Sequence, residues 1–121
     1  MMDLKDCYTK FGGDYDEVLG RLQRERIVEK FVYKFLDDKS FELLETSIKN
    51  EDYGEALRAV HTIKGICQNL SFTKLYEISN LMTKTLKEND YQKAVDMMPQ
   101  LTDDYYKIIH TVQEYKQSKE G

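Results

Sequence analysis

Proline occurs once in the 121 residues, at Pro99, and glycine only six times. That scarcity removes the punctuation on which turn-dense β architectures depend and points to a compact helical chain. Cysteine is equally thin. Cys7 and Cys67 stand far apart, without the close spacing of a metal or redox pair. A basic surplus is missing too: 18 Lys and Arg face 22 Asp and Glu, a net charge of −4, so nothing is available to displace counterions from nucleic acid. No apolar run approaches membrane-spanning length, and MMDLKDCYTK lacks the greasy core of a signal peptide. These absences set the expectation of a reduced, cytoplasmic protein that meets neither nucleic acid nor membrane. The equipment of an autonomous enzyme is lacking as well. There is no GxxxxGK[ST] nucleotide loop, and His61 and His110 are far apart with no HExxH pair to hold a metal.

What is present is 40% hydrophobic and 33% charged residue, enough for one self-sufficient core. The pattern is helical from end to end. Leu4, Tyr8 and Phe11 make a first short stripe, ended by Gly12-Gly13. Asp14 reads as an N-cap with Glu17 completing a capping box, for a helix carrying Val18 and Leu22. From about Gln23, Ile27, Val28, Phe31 and Phe35 form a stronger stripe, with Val32 a further candidate. Asp37-Asp38 interrupt it, and Asp38 is placed to cap a segment bearing Phe41, Leu44 and Ile48. Asp52, with Glu55 at N3, opens the central helix, which the pattern ends near Asn69 or Leu70. Ser71 is read as the cap of the next helix, with Leu75, Ile78, Leu81 or Met82, and Leu86 inside. A last pattern runs from Tyr91 through Val95, Met98, Leu101, Tyr105, Ile108 and Val112 to Tyr115, with Pro99 expected to kink or divide it near Asp96.

Two features invite function. The first is an echo: DYDEVLGRL, DYGEALRAV and DYQKAVDMM start at residues 14, 52 and 90. A constant interval of this size suits stacked helical hairpins, and so a helical adaptor or repeat-like scaffold that binds a protein partner. The plainer reading is one capping solution used three times. The second is the central stretch ALRAVHTIKGICQNL, residues 56 to 70. At about 100° per residue, Ala56, Ala59, Val60, Ile63, Ile66, Cys67 and Leu70 fall within roughly 120°, a core-facing stripe. His61 points away from it, among Leu57, Lys64, Gly65 and Gln68. A mid-helix glycine costs about 1 kcal/mol against alanine. It makes sense where something must come close to the imidazole. A histidine nitrogen forms covalent intermediates, and a phosphoryl group carried there is anionic, so Lys64 one turn on is placed to stabilise it.

At these residues the chain resembles the histidine-containing phosphotransfer domain of two-component phosphorelays. His61-Thr62-Ile63-Lys64-Gly65 matches its signature of histidine, two residues, lysine and glycine, with an alanine-rich helix before and Asn69-Leu70 ahead of a small residue. The likeness spans roughly residues 24 to 116. It implies an all-α fold, an antiparallel up-down four-helix bundle with short additional N-terminal helices. The whole of 1–121 would then be one domain, with cap helices in 1–22 and the bundle in 23–118. It also implies a phosphocarrier without kinase activity and free of cofactors, and the single ordinary core favours a monomer. A receiver domain of a response regulator or hybrid histidine kinase would dock over His61 and bring its own Mg²⁺. Leu57 and Gln68 would lie under it, and Thr83 would occupy the position of a glutamine that in some members orients the histidine. The chain departs from the family at Cys67 and Gln68, where small residues are frequent, and at Ser71, where glycine is common.

Overall fold

The computed structural model describes residues 2–120. These form eight helices: α1 (Leu4–Phe11), α2 (Tyr15–Leu22), α3 (Glu25–Leu36), α4 (Ser40–Lys49), α5 (Tyr53–Leu70), α6 (Thr73–Lys87), α7 (Tyr91–Asp96) and α8 (Met98–Glu120). No strand occurs among the described residues. The all-helical expectation from composition and spacing is met.

Helix starts follow local chemistry. Asp14, Asp52 and Asp90 each accept a hydrogen bond from the backbone N–H three residues on, at 3.0, 3.2 and 3.3 Å. The threefold echo in the sequence therefore coincides with three N-caps. The reciprocal bond of a capping box forms at Asp3 and Asp6, but not at Asp14, because the Glu17 carboxylate is engaged elsewhere. Between α3 and α4 the chain breaks at Asp37–Lys39, so these are two helices. Asp38 accepts from the Ser40 N–H at 2.9 Å, but the N-cap of α4 is Lys39, one residue later than the sequence reading, and it makes no side-chain cap bond. Pro99 sits in the first turn of α8, where its missing N–H has no intrahelical partner to lose, and α7 and α8 divide at Met97.

One boundary differs. Ser71 is the C-cap of α5, held at φ 55° and ψ 40°, and the residue that opens α6 is Phe72, with no side-chain cap. A residue with a Cβ in this left-handed region carries about 1 kcal/mol of strain, which accounts physically for a glycine preference there. Here the turn is tied instead by its side chain. The Ser71 hydroxyl donates to Glu17 Oε1 at 2.7 Å and accepts from Arg21 Nη1 at 3.0 Å.

Helix α5 packs against α4 on one side and α6 on the other, while α8 lies against α6, α3 and α1. The core between them includes Val28, Val32, Leu44, Val60, Ile63, Leu75, Met82, Ile108 and Val112, all essentially without exposure. Met82 rather than Leu81 takes the inner position on α6, since Leu81 is 45% exposed. The α1–α2 hairpin closes one end of this core through the α5–α6 turn. Tyr8 Oη donates to the Leu70 carbonyl at 2.8 Å, the Asp14 N–H to the Ser71 carbonyl at 2.9 Å, and the Lys74 N–H to the Gly12 carbonyl at 2.9 Å. A Cβ on Gly13 would stand 2.6 Å from the Tyr8 ring and 2.9 Å from the Ser71 carbonyl oxygen, so only glycine permits the approach. Aromatic rings then run in contact from Tyr8 through Phe11, Phe72, Phe35 and Tyr105 to Phe41, with centroids 4.0 to 5.2 Å apart except for 5.7 Å between Phe35 and Tyr105.

Candidate functional site

The Asp52 cap and the buried face of α5 together fix which side of the helix meets water. Ala56, Ala59, Val60, Ile63, Cys67 and Leu70 are buried against α4 and α6, and Ile66 is half-buried beside Phe31 and Leu70. With that face committed, the helical period leaves His61 exposed at the middle of the opposite side. Among the described residues no hydrogen bond or ion pair tethers its ring.

Its neighbours are arranged for access. Lys64 is half-buried, one turn on, and no carboxylate among the described residues lies within ion-pairing distance of its ammonium. An unpaired ammonium here is free to meet an incoming anion. Gly65 is exposed, and a Cβ built on it would meet nothing within 4 Å. The cleared flank is open space, not a packing requirement of the fold. Gln68 is exposed on the same side two turns from His61 and does not wall it off with any hydrogen bond among the described residues. Leu57, one turn before His61, is half-buried, its inner part packed against the core. On the other flank Thr62 turns its hydroxyl to the Arg58 carbonyl at 3.0 Å, and Arg58 pairs with Glu55 at 3.2 Å.

Thr83 does not join this surface. It is 2% exposed, and its hydroxyl donates to the Ser79 carbonyl at 2.7 Å on its own helix. Its one donor is thereby used by the backbone. Nearby Ser79 Oγ is buried with no hydrogen-bond partner among the described residues. His110 is exposed and stacks on Tyr106 at 5.5 Å, a surface placement far in sequence from α5.

Burial pushes the Cys7 thiol up to about 11, helped by the nearby Asp6 and Asp3 carboxylates, and burial raises that of Cys67 as well. Both stay protonated at neutral pH and lack the thiolate that would react. Among the described residues no three His, Cys, Asp or Glu side chains gather as metal ligands, and no helix is long and apolar enough to cross a membrane.

Sequence reasoning placed Glu17 and Ser71 only as caps and missed that both meet Arg21 at the C-terminal end of α5. Arg21 Nη1 donates to the Asn69 carbonyl at 2.7 Å. No local periodicity signals a contact between residues so distant along the chain. The hydroxyl at a position where glycine is common was the one available hint.

Neither the curated proteins nor the solved structures contain a match to this sequence. The family model of the Hpt domain does match, over residues 32–111, which takes in α4, α5, α6 and α7 whole, the C-terminal part of α3 and more than half of α8. With well over half its length matched, the chain belongs to the Hpt domain family, the phosphocarrier modules of two-component phosphorelays that work with receiver domains.

Proposed function

We propose that His61 is the phosphoacceptor of this chain, taking a phosphoryl group from a receiver aspartate and passing it to another. The observation that carries the reading is the conjunction on α5 of an exposed, untethered imidazole, an unpaired ammonium at Lys64 and open space at Gly65. In this reading α3 with α4, α5, α6 and α8 are the rods of an up-down antiparallel bundle, and the chain acts as a soluble monomer in the cytoplasm.

The receiver docks over the exposed side of α5, contacting Leu57 and Gln68. A ring nitrogen of neutral His61 attacks phosphorus in line. The N–P bond forms as the bond from phosphorus to the aspartyl oxygen breaks, and the electron pair returns to the aspartate as carboxylate. The proton on the other ring nitrogen is free to leave to water. Charge on the moving phosphoryl oxygens is balanced by Lys64 from this side and by the receiver's own Mg²⁺ from the other, since positioning and electrostatics dominate phosphoryl transfer. Gly65 leaves room for the receiver's loops to close over the ring. The reverse sequence delivers the group to a second aspartate, so no cofactor belongs to this chain.

Incubation with a phosphorylated receiver domain tests the reading. The chain gains acid-labile phosphate, and His61→Gln abolishes it with helix content unchanged. Label that persists in His61→Gln moves the acceptor elsewhere.

A further inference from the structure

Helix α5 carries a second cation beside His61. The residues three and four positions from the imidazole are Leu57, Arg58, Lys64 and Gly65, so two are cationic and none is acidic. Side chains at this spacing start about 5–6 Å apart at their Cβ atoms. Arg58 precedes His61 and Lys64 follows it, so the two charges bracket the ring from opposite turns. Helical side chains lean back over the turn before them. Lys64 therefore leans toward His61, and the His61 ring leans over the turn that holds Leu57 and Arg58.

The two cations differ in what holds them. Lys64 has no carboxylate at ion-pairing distance among the described residues, whereas Arg58 Nη1 donates to Glu55 Oε1 at 3.2 Å. Glu55 is the one acid in α5. Its place at N3 suits the return bond of a capping box. The Asp52 N–H is taken by the Ser47 carbonyl at 2.8 Å, however, and the Glu55 carboxylate meets Arg58 instead. The pair stands open to water, with the Arg58 side chain 79% and the Glu55 side chain 41% exposed. Exposed pairs of this kind are weak. A phosphoryl group offers three acceptor oxygens and more charge than a carboxylate, and a guanidinium meets two such oxygens at once.

We propose that Arg58 is a second cation for the phosphoryl group on His61, held by Glu55 until phosphorylation draws it away. The inference rests on the phosphocarrier reading of His61 and deepens it. Lys64 is a standing charge at the site and Arg58 a released one. The exchange stabilises phosphorylated His61 relative to the free imidazole, and so favours transfer onto the chain.

The test uses the full chain and the receiver domains encoded in the same genome, each charged with acetyl phosphate, carrying forward the one that labels the chain fastest. The quantity read is the equilibrium partition of label between receiver and chain. A residue that only aids docking speeds both directions alike and leaves this partition unchanged. Arg58→Gln is expected to shift it about threefold toward the receiver, and Arg58→Lys to recover part of the loss. Glu55→Gln shifts it about twofold toward the chain, because Arg58 is released in advance, and this gain vanishes in the Arg58→Gln background. Helix content and thermal midpoints hold, since the Asp52 cap meets the backbone N–H of Glu55 and not its carboxylate. A Glu55→Gln gain that persists without Arg58 overturns the exchange. An unchanged partition in Arg58→Gln overturns the whole proposal while leaving the His61 reading intact. A parent chain that takes no label, or a His61→Gln chain that still does, overturns both.

Discussion

At the scale of single residues, the proposed phosphoacceptor face carries a stability cost at Gly65. Gly65 lies in the interior of the longest stretch of core-forming helix before α8, and its missing side chain is not required by backbone or packing. Gly65→Ala is therefore expected to stabilise the fold by about 0.5–1 kcal/mol, read as an upward shift in the urea midpoint. Gly65→Gln keeps that helical advantage yet slows phosphotransfer, because its side chain enters the volume beside the imidazole. Opposite movement of stability and transfer rate is the diagnostic outcome. A glutamine variant that transfers at the parental rate would show that no partner uses the cleared space. Residue chemistry also shows where spacing arguments stop. The position of His61 followed from the apolar stripe alone, because seven flanking residues fix the helix's rotation. Thr83 was matched to a role by position only. Its burial, with the hydroxyl on the Ser79 carbonyl, is not signalled by residue type.

At the scale of elements, helix starts were the most legible feature. An aspartate followed by an acid or an amide-bearing stretch encodes its own cap within four residues, and Asp14, Asp52 and Asp90 all cap as their local sequence implies. The α5–α6 turn was misread because its determinant is not local. A serine after a helix and before another reads equally as the end of the first or the start of the second. The choice is made by Arg21 and Glu17, about fifty residues earlier in the chain, which hold its hydroxyl. The left-handed backbone at Ser71 and the α2 clamp should therefore be energetically linked. Arg21→Ala is expected to lower stability by about 1 kcal/mol through loss of partly exposed hydrogen bonds. With Ser71→Gly as background the loss falls by about half, since the hydroxyl partner is gone and the turn no longer carries strain. A double-mutant cycle in urea measures the coupling. Strictly additive costs would mean that the clamp and the turn are independent.

At the scale of the whole molecule, the N-terminal hairpin and the last helix are joined to the bundle through buried tyrosines, and this sets how the fold responds to alkali. Tyr8 is 1% exposed with its hydroxyl on the Leu70 carbonyl, and burial is the main cause that raises its ionisation above the ordinary phenol range. Tyr115 is 2% exposed and donates to Glu29 Oε2 at 2.7 Å. Burial, then that bond and the carboxylate's charge, raise it too. Below about pH 10, the ordinary tyrosine value, folded and unfolded chains both hold these protons, and the contribution is fully present. As pH rises past it, the unfolded chain releases protons that the folded chain retains. Stability then falls by about 1.4 kcal/mol per pH unit for each such tyrosine until the folded groups ionise in turn. Urea unfolding between pH 8 and pH 12 should show a plateau followed by this decline. Tyr8→Phe and Tyr115→Phe should each begin less stable at neutral pH, by about 1 kcal/mol for the lost hydrogen bond, and then decline less steeply. Because Tyr8 anchors the hairpin that carries α2, and Tyr115 anchors the end of α8 to α3, a slope untouched by both substitutions would place the alkaline sensitivity outside these two anchors.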